Sequence, residues 1–153
     1  MLSRRAKYAL KAMICLAQSQ DPAPLSVGDV ARRTNVPQPF LEQILSELKR
    51  RNLLVSRRGK QGGFHLARKP EEITFAEIIR HIDGPLALAP CASRTAYRPC
   101  PECRDVKTCE LRRTLILVRD ATADILENTT LASELTKQPA PKRRLKHTAR
   151  RRA

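Results

Sequence analysis

Residues 25–67, LSVGDVARRTNVPQPFLEQILSELKRRNLLVSRRGKQGGFHLA, decide how the rest of this chain is read. Ser26 offers a cap to a helix on which Val27, Val30 and Ala31 recur at helical spacing. Thr34-Asn35 closes that helix, because asparagine tolerates the left-handed turn, and Pro37 limits any extension. A second helix starts around Pro37–Pro39, where proline fits a first turn. Phe40, Leu41, Ile44, Leu45 and Leu48 make its apolar stripe, Lys49-Arg50-Arg51 its basic end and Asn52 its stop. Two β-capable runs, 53–58 and 64–67, then flank the glycine-rich segment 59–63. They predict a hairpin with Arg57, Arg58 and Lys60 around its tip.

Helix, turn, helix and basic hairpin together outline a winged helix-turn-helix, so the expected fold is mainly α with a small β-hairpin wing. Such a domain lays its second helix in the major groove of DNA and its wing on the neighbouring backbone or minor groove. A small α+β domain with a merely solvated hairpin is the alternative, and charge separates the two. The 153 residues carry 30 Lys/Arg against 15 Asp/Glu, a formal charge of +15. Residues 1–70 hold 14 basic and 4 acidic side chains, 71–136 hold 8 and 11, and 137–153 hold 8 and none. Solubility needs no such asymmetry, whereas neutralising phosphates does, because counterion release drives most of that affinity. A membrane is the weaker partner. No segment shows a long basic amphipathic face, and no apolar run approaches the roughly 20 residues of a span.

On the N-terminal side, residues 3–18 read as a helix capped by Ser3. Ala6, Leu10, Met13, Ile14 and Ala17 form its inner face, and Arg4, Arg5, Lys7 and Lys11 point outward. Cys15 falls near the apolar side and reads as packing. The apolar run 9–17 is broken by Lys11 and lacks a cleavage context, so a cytoplasmic protein with reduced thiols is expected.

On the C-terminal side, Thr74 and Glu77 form a capping box for a helix that buries Phe75, Ile78, Ile79 and Ile82 and ends at Asp83-Gly84-Pro85. Residues 85–108 lose all periodicity, and a loop that long is functional or disordered. Helical spacing resumes with Leu111, Leu115, Val118, Ala121, Thr122, Ile125 and Leu126. That stripe is either the seam of a symmetric dimer or packed back on the first helix. Residues 130–135 read as a short closing helix, and the basic tail from Lys137 as disordered. The expected organisation is a DNA-binding domain (1–84), a cysteine-rich loop (85–109), a dimerisation helix with its closing helix (110–136) and the tail (137–153).

Chemistry concentrates at Cys91, Cys100, Cys103 and Cys109, spaced C-x8-C-x2-C-x5-C. The C-x2-C step alone is shared by zinc sites, redox pairs and iron–sulfur sites. Four thiols in so short a loop point further, because neighbouring thiolates repel and a metal relieves that repulsion while it orders the chain. Reactive thiols and a structural zinc stay open beside an iron–sulfur cluster. His65 and His81 read as structural or solvated, and His147 lies in the tail. An enzyme is not expected: no paired acid or base accompanies the cysteines, and Gly59-Lys60 does not fit a phosphate-binding loop.

From about Leu2 to Leu135 the chain resembles the Rrf-two family of bacterial winged-helix transcription regulators. The resemblance rests on Tyr8-Ala9-Leu10, on Phe40-Leu41-Glu42-Gln43-Ile44-Leu45, and on Arg58-Gly59-Lys60-Gln61-Gly62-Gly63-Phe64. Glu71-Glu72-Ile73-Thr74, Asp83-Gly84-Pro85-Leu86 and Thr129-Thr130-Leu131-Ala132 continue it. It implies a homodimeric repressor that binds a promoter operator. In several members a three-cysteine iron–sulfur cluster ahead of the dimer helix controls that binding. Cys91, Cys103 and Cys109 match those three in order, but eleven residues separate Cys91 from Cys103, where the family commonly steps by about five. The family's fourth ligands are also missing. Arg112 stands where a histidine would, and residues 1–20 contain no Asp or Glu. Cys100, in the added segment, is therefore the expected fourth ligand of an all-thiolate centre, 2Fe–2S by resemblance or zinc by geometry. For DNA, Glu42 and Gln43 are expected at base edges and Arg58 at a phosphate or the minor groove, with Pro39, Arg57 and Lys60 as further DNA-binding residues.

Overall fold

The computed structural model describes residues 2–19, 23–59, 61–101, 103 and 105–135. Lys60 and the basic tail lie outside the described residues. Helix α1 (Arg4–Ala17) starts where the Ser3 hydroxyl accepts the Ala6 N–H at 3.0 Å. It buries Ala6, Ala9, Ala12, Met13, Cys15 and Leu16, whereas Leu10, Ile14 and Ala17 are only half-buried. The buried face is thus turned from the expected one. Three alanines let α1 run close against α3 and α4, and the larger aliphatic side chains fill the flanks.

Helix α2 (Val27–Thr34) begins with Ser26 accepting the Asp29 N–H at 3.1 Å while its hydroxyl donates to the Asp29 carboxylate at 2.6 Å. That hydroxyl and then the Arg32 guanidinium hold the Asp29 carboxyl below the usual carboxylate range. Asn35 stops α2 in the left-handed region (φ 52°). Helix α3 (Gln38–Arg50) buries Leu41, Ile44, Leu45 and Leu48. Phe40, expected in that stripe, is instead 54% exposed and meets Tyr8 of α1 edge-on, with ring centroids 6.1 Å apart. It sits one position ahead of the buried row, about 100° round the helix, so helical spacing carries it to the rim.

Strands β1 (Leu54–Arg57) and β2 (Gly63–Leu66) pair antiparallel, from Leu54 opposite Leu66 to Arg57 opposite Gly63. The wing has a third participant that sequence patterning did not reveal. Leu25 exchanges two backbone hydrogen bonds with Phe64, at 3.0 and 2.8 Å. Gly63 permits this approach, since a Cβ there would stand 2.3 Å from the Leu25 carbonyl oxygen.

Helix α4 (Phe75–Ile82) is capped by Thr74, whose hydroxyl accepts the Glu77 N–H at 3.1 Å. Only this half of the capping box forms, because the Glu77 carboxylate pairs with Arg68. After Gly84 (φ 85°) the chain crosses a short 3-10 turn, Pro90–Ala92, and reaches α5 (Glu110–Glu127). Helix α5 packs mainly on α4 and on that turn rather than on α1. The closing helix α6 (Leu131–Leu135) joins the winged-helix core. Leu131 is fully buried there, and its N–H donates to Ile73 O at 3.0 Å.

Candidate DNA interface and thiol centre

Burying Leu41, Ile44, Leu45 and Leu48 turns the opposite face of α3 to solvent. That face carries Pro39, Glu42, Gln43, Ser46, Lys49 and Arg50, all exposed. Arg5 of α1 borders the same open concavity and pairs with Glu47. Glu42 is not free: Gln38 donates its amide N–H to the Glu42 carboxylate at 2.9 Å, which fixes that side chain along the helix. Sequence reading missed Gln38 and Ser46 on this surface. The i, i+4 spacing of Gln38 and Glu42 was the available signal. On the wing, Arg57 and Arg58 are exposed beside Gly59, whose φ of 110° turns the loop.

The four loop cysteines meet at the N-terminal end of α5. Cys91, Cys100, Cys103 and Cys109 line one cavity of about 220 Å³, with Val106, Leu111 and Arg112 completing its wall. Cys109 caps α5, its sulfur accepting the Arg112 N–H at 3.4 Å. Cys103 lies in a turn closed by its own N–H on Cys100 O at 3.2 Å, and its thiol donates to Asp105 O at 3.4 Å. Partial burial first, then the hydrogen bond and charge of Cys109 and the charge of Cys100, push the Cys103 thiol up. Cys91 arrives on the Pro90–Ala92 turn, with Arg112 Nε donating to its carbonyl at 2.9 Å.

This donor set suits a soft metal or an iron–sulfur cluster, for thiolates are the ligands both prefer. The cavity gathers the thiols without closing them into a shell, since among the described residues no group of three or more His, Cys, Asp or Glu is arranged to hold a metal ion. Cys15 is elsewhere, inside the winged-helix core, and takes no part. No helix among the described residues is long and apolar enough to cross a membrane.

A helix-turn-helix with a basic hairpin wing and an exposed polar stripe on its second helix defines a winged-helix DNA-binding protein. The family model described as Rrf2, iron-dependent transcriptional regulator, matches residues 2–137, and the chain belongs to that family. A relative from Rhodobacter capsulatus, an Rrf2-like helix-turn-helix-type transcriptional regulator, is 40% identical over 74% of this chain and 77% of its own. The solved structure of CymR, the global cysteine regulator of B. subtilis, superposes with a TM-score of 0.74 at 29% identity, covering 91% of this chain and 98% of that one. IscR of T. potens superposes with a TM-score of 0.69 at 28% identity, covering 88% and 85%. These relatives are transcriptional regulators rather than enzymes, and the chain is a DNA-binding transcriptional regulator.

Proposed function

We propose that this regulator is a homodimeric, cytoplasmic repressor whose operator binding is tuned by a metal centre, an iron–sulfur cluster of the 2Fe–2S type, held by Cys91, Cys103 and Cys109 with Cys100 as fourth ligand. The observation that carries the reading is the convergence of four thiols, scattered over 19 residues, on one cavity. When bound, such a cluster supplies a redox- and nitric-oxide-sensitive group. The chain's own part is to hold four sulfurs at the foot of α5 and to pass their order to the helix above. The domain boundaries expected from sequence stand as part of this proposal, with α6 reassigned to the core it packs on.

On the DNA side, Glu42 and Gln43 meet base edges with Pro39 beside them at the start of α3, and Arg57 and Arg58 meet phosphates or the minor groove. The seam between two copies is the outer face of α5. Leu111, Val118 and Ile125 recur there at seven-residue steps and are 68%, 40% and 64% exposed. A two-fold along this face sets two α3 helices to meet half-sites about 34–36 Å apart. Lysines at Val118 and Ile125 together give monomers that keep their helical spectrum and lose the operator. A parent chain that sediments as a monomer at micromolar concentration removes the seam.

Anaerobic purification, an absorbance spectrum, and iron, sulfide and zinc analysis test the centre. Operator affinity measured with and without the metal tests the tuning. Colourless protein with one zinc per chain keeps the ligands and removes the cluster. A second reading, thiol oxidation, is favoured by Cys103 and Cys109 lining the same cavity, where the neighbouring Cys109 helps to push the Cys103 thiol up. Hydrogen peroxide would take two electrons and two protons from this pair, leaving a disulfide and two waters.

A further inference from the structure

Arg112 occupies the place where the resemblance puts a histidine ligand, yet a guanidinium has no lone pair to give a metal. What it does give is a hydrogen bond. Its Nε donates to Cys91 O at 2.9 Å, while its backbone N–H donates to the Cys109 sulfur. One residue therefore touches both the first and the last cysteine of the motif. Seven residues on, two turns along the same face of α5, Arg119 donates Nη1 to Ala92 O. Two guanidinium groups thus hold two consecutive carbonyls of the Pro90–Ala92 turn. Arg119 is only 11% exposed and is itself fixed by Asp120 at 2.6 Å, which Arg94 also pairs at 3.0 Å.

The covalent chain does nothing comparable. Seventeen residues lie between Cys91 and Cys109, enough to span roughly 60 Å when extended. In a motif whose first cysteine is so far displaced, something other than spacing has to return it. We propose that Arg112 and Arg119 form a clamp that docks the Cys91 turn on α5, and that Arg112 is the positioning residue of the thiol centre. The clamp explains why a cation, rather than a ligand, follows Cys109 by three: position 112 delivers the Cys91 sulfur instead of a nitrogen of its own. This inference rests on the thiol-centre reading above, and its test separates the two.

The test uses the full chain, reduced and kept anaerobic, titrated with cobalt(II) alone. Thiolate-to-cobalt absorption reports how many sulfurs bind. Arg112→Ala weakens cobalt binding about ten- to hundredfold, as loss of an outer-shell partner does, and its spectrum matches that of Cys91→Ser. Adding Arg112→Ala to Cys91→Ser changes nothing more, because the clamp acts only through Cys91. Arg112→Lys, which keeps a donor of similar reach, restores most of the affinity and the parent spectrum. The clamp is overturned if Arg112→Ala keeps the parent affinity and spectrum while Cys91→Ser loses them, or if the two losses add. If serine at Cys91, Cys103 and Cys109 each leaves cobalt binding unchanged, the thiol centre itself falls and takes the clamp with it.

Discussion

The carboxylate of Asp83, at the end of α4, takes both donors of Ser3, at the start of α1: the backbone N–H at 2.8 Å and the hydroxyl. The Ser3 oxygen meanwhile accepts from Ala6 N–H. The first turn of α1 carries Arg4, Arg5 and Lys7 and has no acid of its own, a poor match to the positive end of a helix dipole. Asp83 supplies the missing negative charge from 80 residues away in sequence. Ser3→Ala and Asp83→Ala should each cost about 1 kcal/mol, the usual range for a cap. Because they share one bond network, the double variant should cost clearly less than the two together. Urea titration of the four proteins reads this directly, and full additivity would show that the two residues do not act as a unit.

Gly63 sets the wing. With a Cβ 2.3 Å from the Leu25 carbonyl oxygen and 2.8 Å from Ser26 N, alanine cannot fit unless the Leu25 strand moves away. That movement would break both Leu25–Phe64 hydrogen bonds and shift the wing against α2. Gly63→Ala should therefore destabilise by about 1–3 kcal/mol, the range for overpacking, and weaken operator binding beyond its effect on folding. A variant as stable as the parent would mean that the Leu25 pairing is dispensable.

Some of this was legible in the sequence and some was not, for identifiable reasons. Ser26, Asn35, Thr74 and Gly84 act locally, within a few residues, so caps and turns could be placed from composition alone. The apolar row of α3 was legible apart from Phe40, where an aromatic at the rim looks like one in the core until the neighbouring helix is known. The buried face of α1 was misread because alanine is small enough to be core only when another helix runs close. The Leu25–Phe64 pairing, the Asp83–Ser3 bonds and the two arginines on the Pro90–Ala92 turn all join residues far apart in the chain. No periodicity carries such pairings. The cysteine spacing suggested a centre, but only the fold brings Cys91 back to Cys109.

Cys15 gives a pH dependence of known sign. Burial pushes its thiol up, and Arg33 offsets part of the effect. The folded state thus favours the protonated thiol more than the unfolded chain does. The neutral thiol contributes its full stability below the ordinary thiol range. As pH rises through that range the unfolded chain loses the proton first, so this contribution falls. Cys15→Ala should lower stability at pH 7 by about 1–2 kcal/mol through lost packing, and the gap to the parent should narrow by pH 10. A gap that stays constant or widens over that span would contradict the direction.

The polar stripe of α3 makes separable predictions about DNA. Gln43 is exposed on that stripe, and Gln43→Ala should cost about 1–3 kcal/mol at one operator position while relaxing preference there. Glu42 is held by Gln38, so Gln38→Ala should alter the same base preference that Glu42→Ala removes, with a smaller loss. Arg58→Ala should weaken operator and random DNA alike and lower the salt slope by about one. Binding measured across salt concentrations with operator variants distinguishes the three. Unchanged operator affinity in Gln43→Ala and Arg58→Ala would refute this placement of helix and wing.

Cys100 is the thiol whose role the geometry makes most distinctive. Cys91, Cys103 and Cys109 are half-buried around the cavity, while Cys100 is exposed at its edge. It lies between Cys91 and Cys103 in the chain and is tied to Cys103 through the bond from Cys103 N–H to Cys100 O. A ligand on an exposed edge should exchange more readily than the three behind it. Serine at Cys91, Cys103 or Cys109 should therefore abolish the visible chromophore of anaerobically purified protein. Serine at Cys100 should leave a chromophore that is shifted and decays faster in air. In the metal-free chain the same exposure should make Cys100 the first cysteine alkylated by iodoacetamide and the buried Cys15 the last, which peptide mass mapping can order. If Cys100→Ser matches the parent in both spectrum and decay rate, the centre has three thiolates and the fourth ligand must come from elsewhere.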